Sequence, residues 1–142
     1  MQYLALFTPA KEGGVVITFP DVPGAITQAE DERGGVEMAQ DALVTLFEHY
    51  IRVGEDIPTP RKRGGRGLRM IDLPAIVGVK VELYRAFRAS RITKTELASR
   101  LGIAKTNVDR LFSFRNRTRL DQLESAFAAL GQKLEISVKR AA

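Results

Sequence analysis

The sequence predicts an α+β N-terminal domain, an antiparallel sheet with one helix, followed by an all-α helix-turn-helix domain with a C-terminal strand. Three observations predict it. Short β-rich runs separated by Gly and Pro fill the first thirty residues, and one long amphipathic stretch follows them. Further on, residues 92–119 read ITKTELASRLGIAKTNVDRLFSFRNRTR, with the spacing of two short helices around a glycine turn.

The runs YLALF (3–7), VVITF (15–19) and AITQA (25–29) suit a pleated surface, and Gly13-Gly14 and PDVPG (20–24) punctuate them. That pattern predicts an antiparallel meander. From about Glu32 to Val53, the residues Val36, Ala39, Leu43, Leu46, Phe47 and Tyr50 recur at three- and four-residue spacing. This is the period of a helix with one apolar stripe, able to cover a sheet. Asp31 is placed to cap its start, while Gly34-Gly35 weaken the first turn. A unit of roughly sixty residues buries little apolar surface alone and often needs a partner or a second copy.

A boundary is expected in IPTPRKRGGRGLR, residues 57–69. Pro58 and Pro60 block helix continuation, and Gly64, Gly65 and Gly67 lower order. Arg61, Lys62, Arg63, Arg66 and Arg69 crowd the same stretch. It reads as a basic linker (58–69) between an acidic domain (1–57) and a helical domain (70–142). Beyond it, LRMIDL suits a fourth strand. Pro74 suits the first turn of a helix towards Ser90 whose inward side would be Ile76, Val79, Leu83 and Phe87.

Thr93-Lys94-Thr95-Glu96 has the form of a capping box, in which hydroxyl and carboxylate each satisfy an orphan amide at a helix start. Leu97 and Leu101 face inward, Ala98 is small where a second helix must approach, and Gly102 can take the left-handed turn. Ile103, Val108 and Leu111 complete a core shared by two steeply crossed helices. By exclusion, Lys105, Thr106, Asn107 and Arg110 point outward at the end of a recognition helix that enters the DNA major groove, so they are the candidate base readers. Lys94, Thr95, Arg115, Asn116, Arg117, Thr118 and Arg119 are the candidate phosphate contacts. Asp109 sits awkwardly among them, since a carboxylate repels phosphate unless it is paired. Thr118 and Asp121 suggest a further helix, RLDQLESAFAALG, ending at Gly131. In the closing KLEISVK, Leu134, Ile136 and Val138 alternate with polar residues, predicting a strand that must pair. Pairing with its own copy would make a twofold dimer; the alternative is addition to a strand within the chain.

Charge divides the chain. Residues 1–60 hold three Lys/Arg against ten Asp/Glu, a balance of −7, whereas residues 61–142 hold nineteen against seven, a balance of +12. Different partners are expected for the halves: a polyanion for the basic one, a cationic surface for the acidic one. The absence of cysteine excludes a disulfide framework and thiolate metal sites. No apolar run approaches the length of a membrane span and no leader is visible, so a cytoplasmic protein is expected. No cofactor or catalytic residue is expected either. Asp21, Glu30, Asp31 and Glu32 are acidic, but three of them are consecutive at a helix start and cannot all face one metal pair. His49, the single histidine, has no nucleophile in reach by sequence.

GGVVITFPDVPGAITQA, then AQDALVTLFEHYI, then RMIDLP leading into residues 74–138 resemble the HicB family of antitoxins in its helix-turn-helix subclass. The most specific part is Phe19-Pro20-Asp21, followed by Pro23-Gly24. The resemblance implies a degenerate RNase H-like N-terminal fold and binding of a HicA-type toxin, a small basic ribonuclease. It also implies repression of the operon through operator DNA, and a homodimer or tetramer. Phe19, Asp21, Glu30, Asp31 and Glu32 are the expected toxin contacts, and Leu134, Ile136 and Val138 the expected dimer contacts. Glu30 and Gly34-Gly35 depart from the family's usual turn and helix residues. The alternative from a different class is a helix-turn-helix transcription regulator whose N-terminal domain senses a small molecule.

Overall fold

The computed structural model of the chain describes residues 1–61 and 64–141. Lys62 and Arg63 of the expected basic linker lie outside the described residues.

Three strands open the chain: β1 (Gln2–Pro9), β2 (Val15–Thr18) and β3 (Ile26–Ala29). They form the expected antiparallel meander, with Leu6 opposite Thr18 and Thr18 opposite Ile26. The first turn closes by Gly13 N–H donating to Ala10 O at 3.2 Å and Ala10 N–H donating to Gly14 O at 3.0 Å. Gly14 holds a φ of 77°, and a Cβ there would stand 2.4 Å from Ala29 O. Only glycine lets β3 come that close.

Helix α1 (Glu32–Val53) follows, with the limits its periodicity predicts. Asp31 caps it, accepting from Gly34 N–H at 2.7 Å. It stops where Gly54 turns left-handed at φ 77° and Glu55 N–H donates back to Tyr50 O at 2.9 Å. The buried stripe is Gly35, Ala39, Leu43 and Phe47. Val36, expected in that stripe, is exposed. Its place at the helix start is taken by Gly35, which lies against Phe7 and Ile17. The missing side chain lets α1 settle onto the sheet, so this glycine serves packing as well as weakening a turn. Tyr3 meets Phe47 at a ring-centroid distance of 5.2 Å, and each such buried side chain contributes about 1.5–3 kcal/mol.

The chain after α1 does not leave the unit. Ile57 is buried, the Tyr3 hydroxyl donates to Pro58 O at 2.6 Å, and Arg61 N–H donates to Asp21 Oδ2 at 2.9 Å. Strand β4 (Leu68–Asp72) then pairs antiparallel with β1, Gln2 opposite Asp72 through Leu6 opposite Leu68. The sheet order is β3-β2-β1-β4. The first compact unit therefore runs Met1–Val79 and the second Lys80–Ala142, so the boundary expected at 58–69 falls inside the first. Strand pairing, which is non-local, outweighs the local Pro/Gly signal. Counted on these units, residues 1–79 hold eight Lys/Arg against eleven Asp/Glu (−3) and residues 80–142 hold fourteen against six (+8).

Helix α2 (Ala75–Ser90) spans the boundary, and α3 (Lys94–Leu101), α4 (Lys105–Phe112) and α5 (Leu120–Ala129) complete the second unit. The inward side of α2 holds the expected Leu83 and Phe87 but departs from expectation elsewhere. Ile76 is exposed, whereas Val77, Lys80, Val81, Leu83 and Tyr84 are buried. The rings of Tyr84 and Phe87 both meet Phe112, at 5.8 and 5.1 Å, which turns this face of α2 towards α4. Val81, Leu97, Val108, Leu123 and Phe127 share the buried interior.

The expected C-terminal strand is absent. Residues 132–141 carry no regular structure, with Ile136 62% and Val138 93% exposed. A strand needs the hydrogen bonds of a neighbour, and residues 132–141 pair with no strand of the described residues. Among the described residues no helix is long and apolar enough to cross a membrane.

A Cβ on Gly35 would stand 2.6 Å from the Phe7 ring and 3.1 Å from Ile17. Gly35→Ala should therefore lower the stability of the first unit by about 1–3 kcal/mol, despite alanine's better helix propensity. Gly34→Ala, where only the tip of Asp31 stands near, should change it far less. Urea unfolding followed by circular dichroism measures both.

Candidate functional site

Two short helices of the second unit build the candidate surface. Thr93 has the extended backbone of an N-cap, and its Oγ1 accepts from Glu96 N–H at 3.1 Å. The return half of the expected capping box is replaced: the Glu96 carboxylate accepts from Arg100 Nε at 3.2 Å, one turn along. Gly102 takes φ 65°, and Ile103 N–H donates to Ala98 O at 3.1 Å, closing α3. Leu97 and Ala98 of α3 are buried, as are Val108, Leu111 and Phe112 of α4. Those burials leave Lys105, Thr106, Asn107, Asp109 and Arg110 exposed on α4.

Electrostatics modifies that surface. Lys94 Nζ lies 2.6 Å from Asp109 Oδ1. The carboxylate that sat awkwardly among cations is thus paired, and Lys94 is engaged with it. A groove of about 510 Å³ runs between α4 and the start of α5, where Asn107, Arg110, Asn116, Arg117, Thr118 and Arg119 line it. Two expected base readers and four expected phosphate contacts therefore converge. Lys105, Thr106, Thr95 and Arg115 are exposed but lie outside this groove. Helix α5 begins one residue later than Thr118 suggested: Arg119 is its N-cap, with Arg119 N–H donating to Gln122 Oε1 at 3.0 Å and Arg119 Nε to Asp121 Oδ1 at 3.2 Å.

Beneath the groove lies a residue that the sequence reading passed over. Lys80 is fully buried. Its Nζ donates to Arg110 O at 3.1 Å, Ser113 O at 2.6 Å and Asn116 O at 2.8 Å. Burial away from water pushes its pKa below the ordinary 10.5. The visible signal was a lysine set between Val77, Val81 and Tyr84 on one face of α2.

In the first unit, most of the expected toxin contacts have local work. Phe19 is 4% exposed and belongs to the core; the strand's alternation turns it inward. Asp21 accepts from Arg61 N–H, Asp31 caps α1, and Glu32 forms an ion pair with Arg69. The Arg69 guanidinium also lies over the Phe7 ring, 5.2 Å from its centroid. Glu30 is exposed, beside a shallow recess of about 500 Å³ shaped by Glu12, Gly13, Gly14, Gln28 and Ala29. A second acidic feature was missed. Glu37, Asp41 and Glu48 recur at four and seven residues along α1, on the side opposite the buried stripe. Their spacing was the available signal. His49 Nδ1 lies 3.1 Å from Arg52. Among the described residues no three His, Cys, Asp or Glu side chains converge on a possible metal position.

The first unit and the start of the second define a class by comparison. A family model described as the HicB-like antitoxin of bacterial toxin–antitoxin systems matches residues 2–82. Antitoxin HicB 1 of Photorhabdus laumondii is 39% identical over 139 residues, 98% of this chain and 88% of that protein. Antitoxin HicB of Escherichia coli K12 is 40% identical over 136 residues, 96% of this chain and 98% of that protein. The chain belongs to the HicB-like antitoxin family. A solved structure titled HicA3 and HicB3 toxin–antitoxin complex is also similar, with a TM-score of 0.47 and 20% identity over 52% of this chain and 99% of the matched one.

Because only the hydroxyl half of the cap is formed, Thr93→Ala should destabilise the helical unit by about 1 kcal/mol. Glu96→Ala should cost at most about 0.5 kcal/mol, as expected for an exposed pair one turn apart. Equal losses in thermal and urea unfolding would mean that both halves of the box form in solution.

Proposed function

We propose that the chain neutralises a HicA-type toxin through its first unit and represses its own operon through the second, with α3 and α4 acting as a helix-turn-helix. The juxtaposition of Asn107 and Arg110 with Asn116, Arg117, Thr118 and Arg119 in one groove carries the DNA reading. Amide and guanidinium groups are the side chains that recognise adenine and guanine edges, and a cationic rim beside them suits phosphate. The excess positive charge of residues 80–142 supports it, since a polyanion is attracted in proportion to the phosphates neutralised.

Membership of the antitoxin family supports the toxin partner. The mechanism would be occlusion: the acidic outer face of α1, with Glu30 beside it, covers the cationic surface with which a ribonuclease approaches RNA. Charge would speed and orient the encounter, and apolar burial would set its lifetime. The C-terminal segment with Leu134, Ile136 and Val138 would pair with a second copy, presenting two recognition helices to one operator.

Titration of duplex DNA from upstream of its own coding region tests the DNA reading. Arg110→Ala should lose about 1–3 kcal/mol of discrimination against the wrong base. Arg117→Ala should weaken binding to every sequence and lower the salt slope by about 1. Wild-type affinity in both variants would overturn the assignment. For the toxin, Glu37→Lys with Asp41→Lys should slow association with a HicA-type ribonuclease at low salt and leave dissociation nearly unchanged, as read by stopped-flow and surface binding kinetics. An unchanged association rate would move the contact off α1.

A further inference from the structure

We infer that Lys80 is a positioning residue for the DNA-reading surface: its buried ammonium holds the segment between α4 and α5 in the shape that presents Arg115, Asn116 and Arg117. The inference rests on the DNA reading proposed above.

An ammonium group has three donors and no acceptor. In Lys80 the three meet three backbone carbonyls, those of Arg110, Ser113 and Asn116. The first belongs to the last turn of α4, the second to its C-cap residue, and the third to the loop beyond. A cation at this end of a helix meets the negative end of its dipole. Asn116 N–H donates to Ser113 O at 3.3 Å, and Ser113 N–H donates to Asp109 O at 3.1 Å. The Ser113 carbonyl therefore receives both the loop's own turn bond and the lysine. Residues 115–117 are exposed, so no apolar anchor of their own holds them.

The choice of residue adds to the geometry. The side chain is fully buried on a helix whose Val77, Val81, Leu83 and Tyr84 are buried too, where methionine would supply similar volume without a buried charge. Charge burial with no carboxylate among the partners is unfavourable for stability alone. Aimed at three carbonyls spread over seven residues, from Arg110 to Asn116, it gives a loop of fixed curvature. Phosphate contacts need that, because a side chain displaced by an ångström loses its hydrogen bond.

The test uses the full chain, with the duplex upstream of its own coding region and a scrambled duplex of equal length as probes. Lys80→Met should remain folded, with a lower unfolding midpoint. Below that midpoint it should bind the specific duplex at least tenfold more weakly, with a salt slope reduced by about one to two. Arg117→Ala should then cost much less in the Lys80→Met background than in the wild type, since the loop is already displaced. A purely stabilising lysine would leave both the slope and the effect of Arg117→Ala unchanged in the folded protein, and that result would overturn the inference. If Lys80→Met does not fold, Lys80→Gln, which keeps two donors, takes its place. If neither folds, NMR of the wild type decides: the Lys80 Nζ resonance should shift when the specific duplex binds, and an unmoved resonance overturns the inference. A wild-type chain that binds neither duplex overturns the DNA reading itself, and Lys80 with it. Wild-type binding with Lys80→Met unaffected overturns only the role of Lys80.

Discussion

The pairing of β4 with β1 is the constraint on which the arrangement of this chain depends. β1 lies inside the sheet, with β2 on one side and β4 on the other, and Tyr3, Leu4 and Ala5 are buried along it. Without β4, that row of backbone donors and acceptors would form an open edge, a template for pairing with other chains. The segment after α1 must therefore return across the unit. It is held on the way by the Tyr3 hydroxyl at Pro58 and by the Asp21 carboxylate at Arg61. A stretch with the composition of a linker becomes a connection inside a unit, and the next helix, α2, starts from a fixed strand.

That return also redistributes charge. The basic stretch joins the acidic unit, lowering its balance from −7 for residues 1–60 to −3 for residues 1–79. Arg69 is drawn onto Glu32 and the Phe7 ring. Acidic residues at the start of α1 thus become structural, and negative charge is left concentrated along the outer side of the helix. Asp109 behaves alike in the second unit, its charge taken up by Lys94 rather than presented beside Arg110 of α4.

What was legible in the sequence was local. The limits of α1, the Asp31 cap, the Thr93 hydroxyl and the Gly102 turn depend on residues within a few positions of each other, and the sequence reports such neighbours directly. The family resemblance was legible for the same reason, being carried by short ordered motifs. What was not legible was set by distant partners. Nothing near Gly35 announces Phe7 and Ile17, and nothing near Lys80 announces carbonyls 30 to 36 residues away. Nor does anything in IPTPRKRGGRGLR state that Leu68–Asp72 will find β1. Leu83 and Phe87 were legible on the inward side of α2, whereas Tyr84 was not, because Phe112, with which it packs, is fixed only once α4 has formed. Phe19, placed in the core by its residue type and named as a toxin contact on the family motif, is buried directly after β2.

The terminal segment follows the same logic from the other direction. KLEISVK has the alternation of a strand, yet within the described residues it pairs with no strand, and Ile136 and Val138 stand in solvent. A period of two is an instruction that only a neighbour can complete. Exposed apolar residues at that period are unfavourable in a permanent monomer, whereas pairing of two copies would bury them and satisfy the backbone at once. The same act would relate two α4 helices by a twofold axis, matching a palindromic operator. Dimer formation and the proposed DNA reading would then be one requirement: a single copy would present one groove, and only the pair would set the distance at which two grooves meet successive turns of DNA.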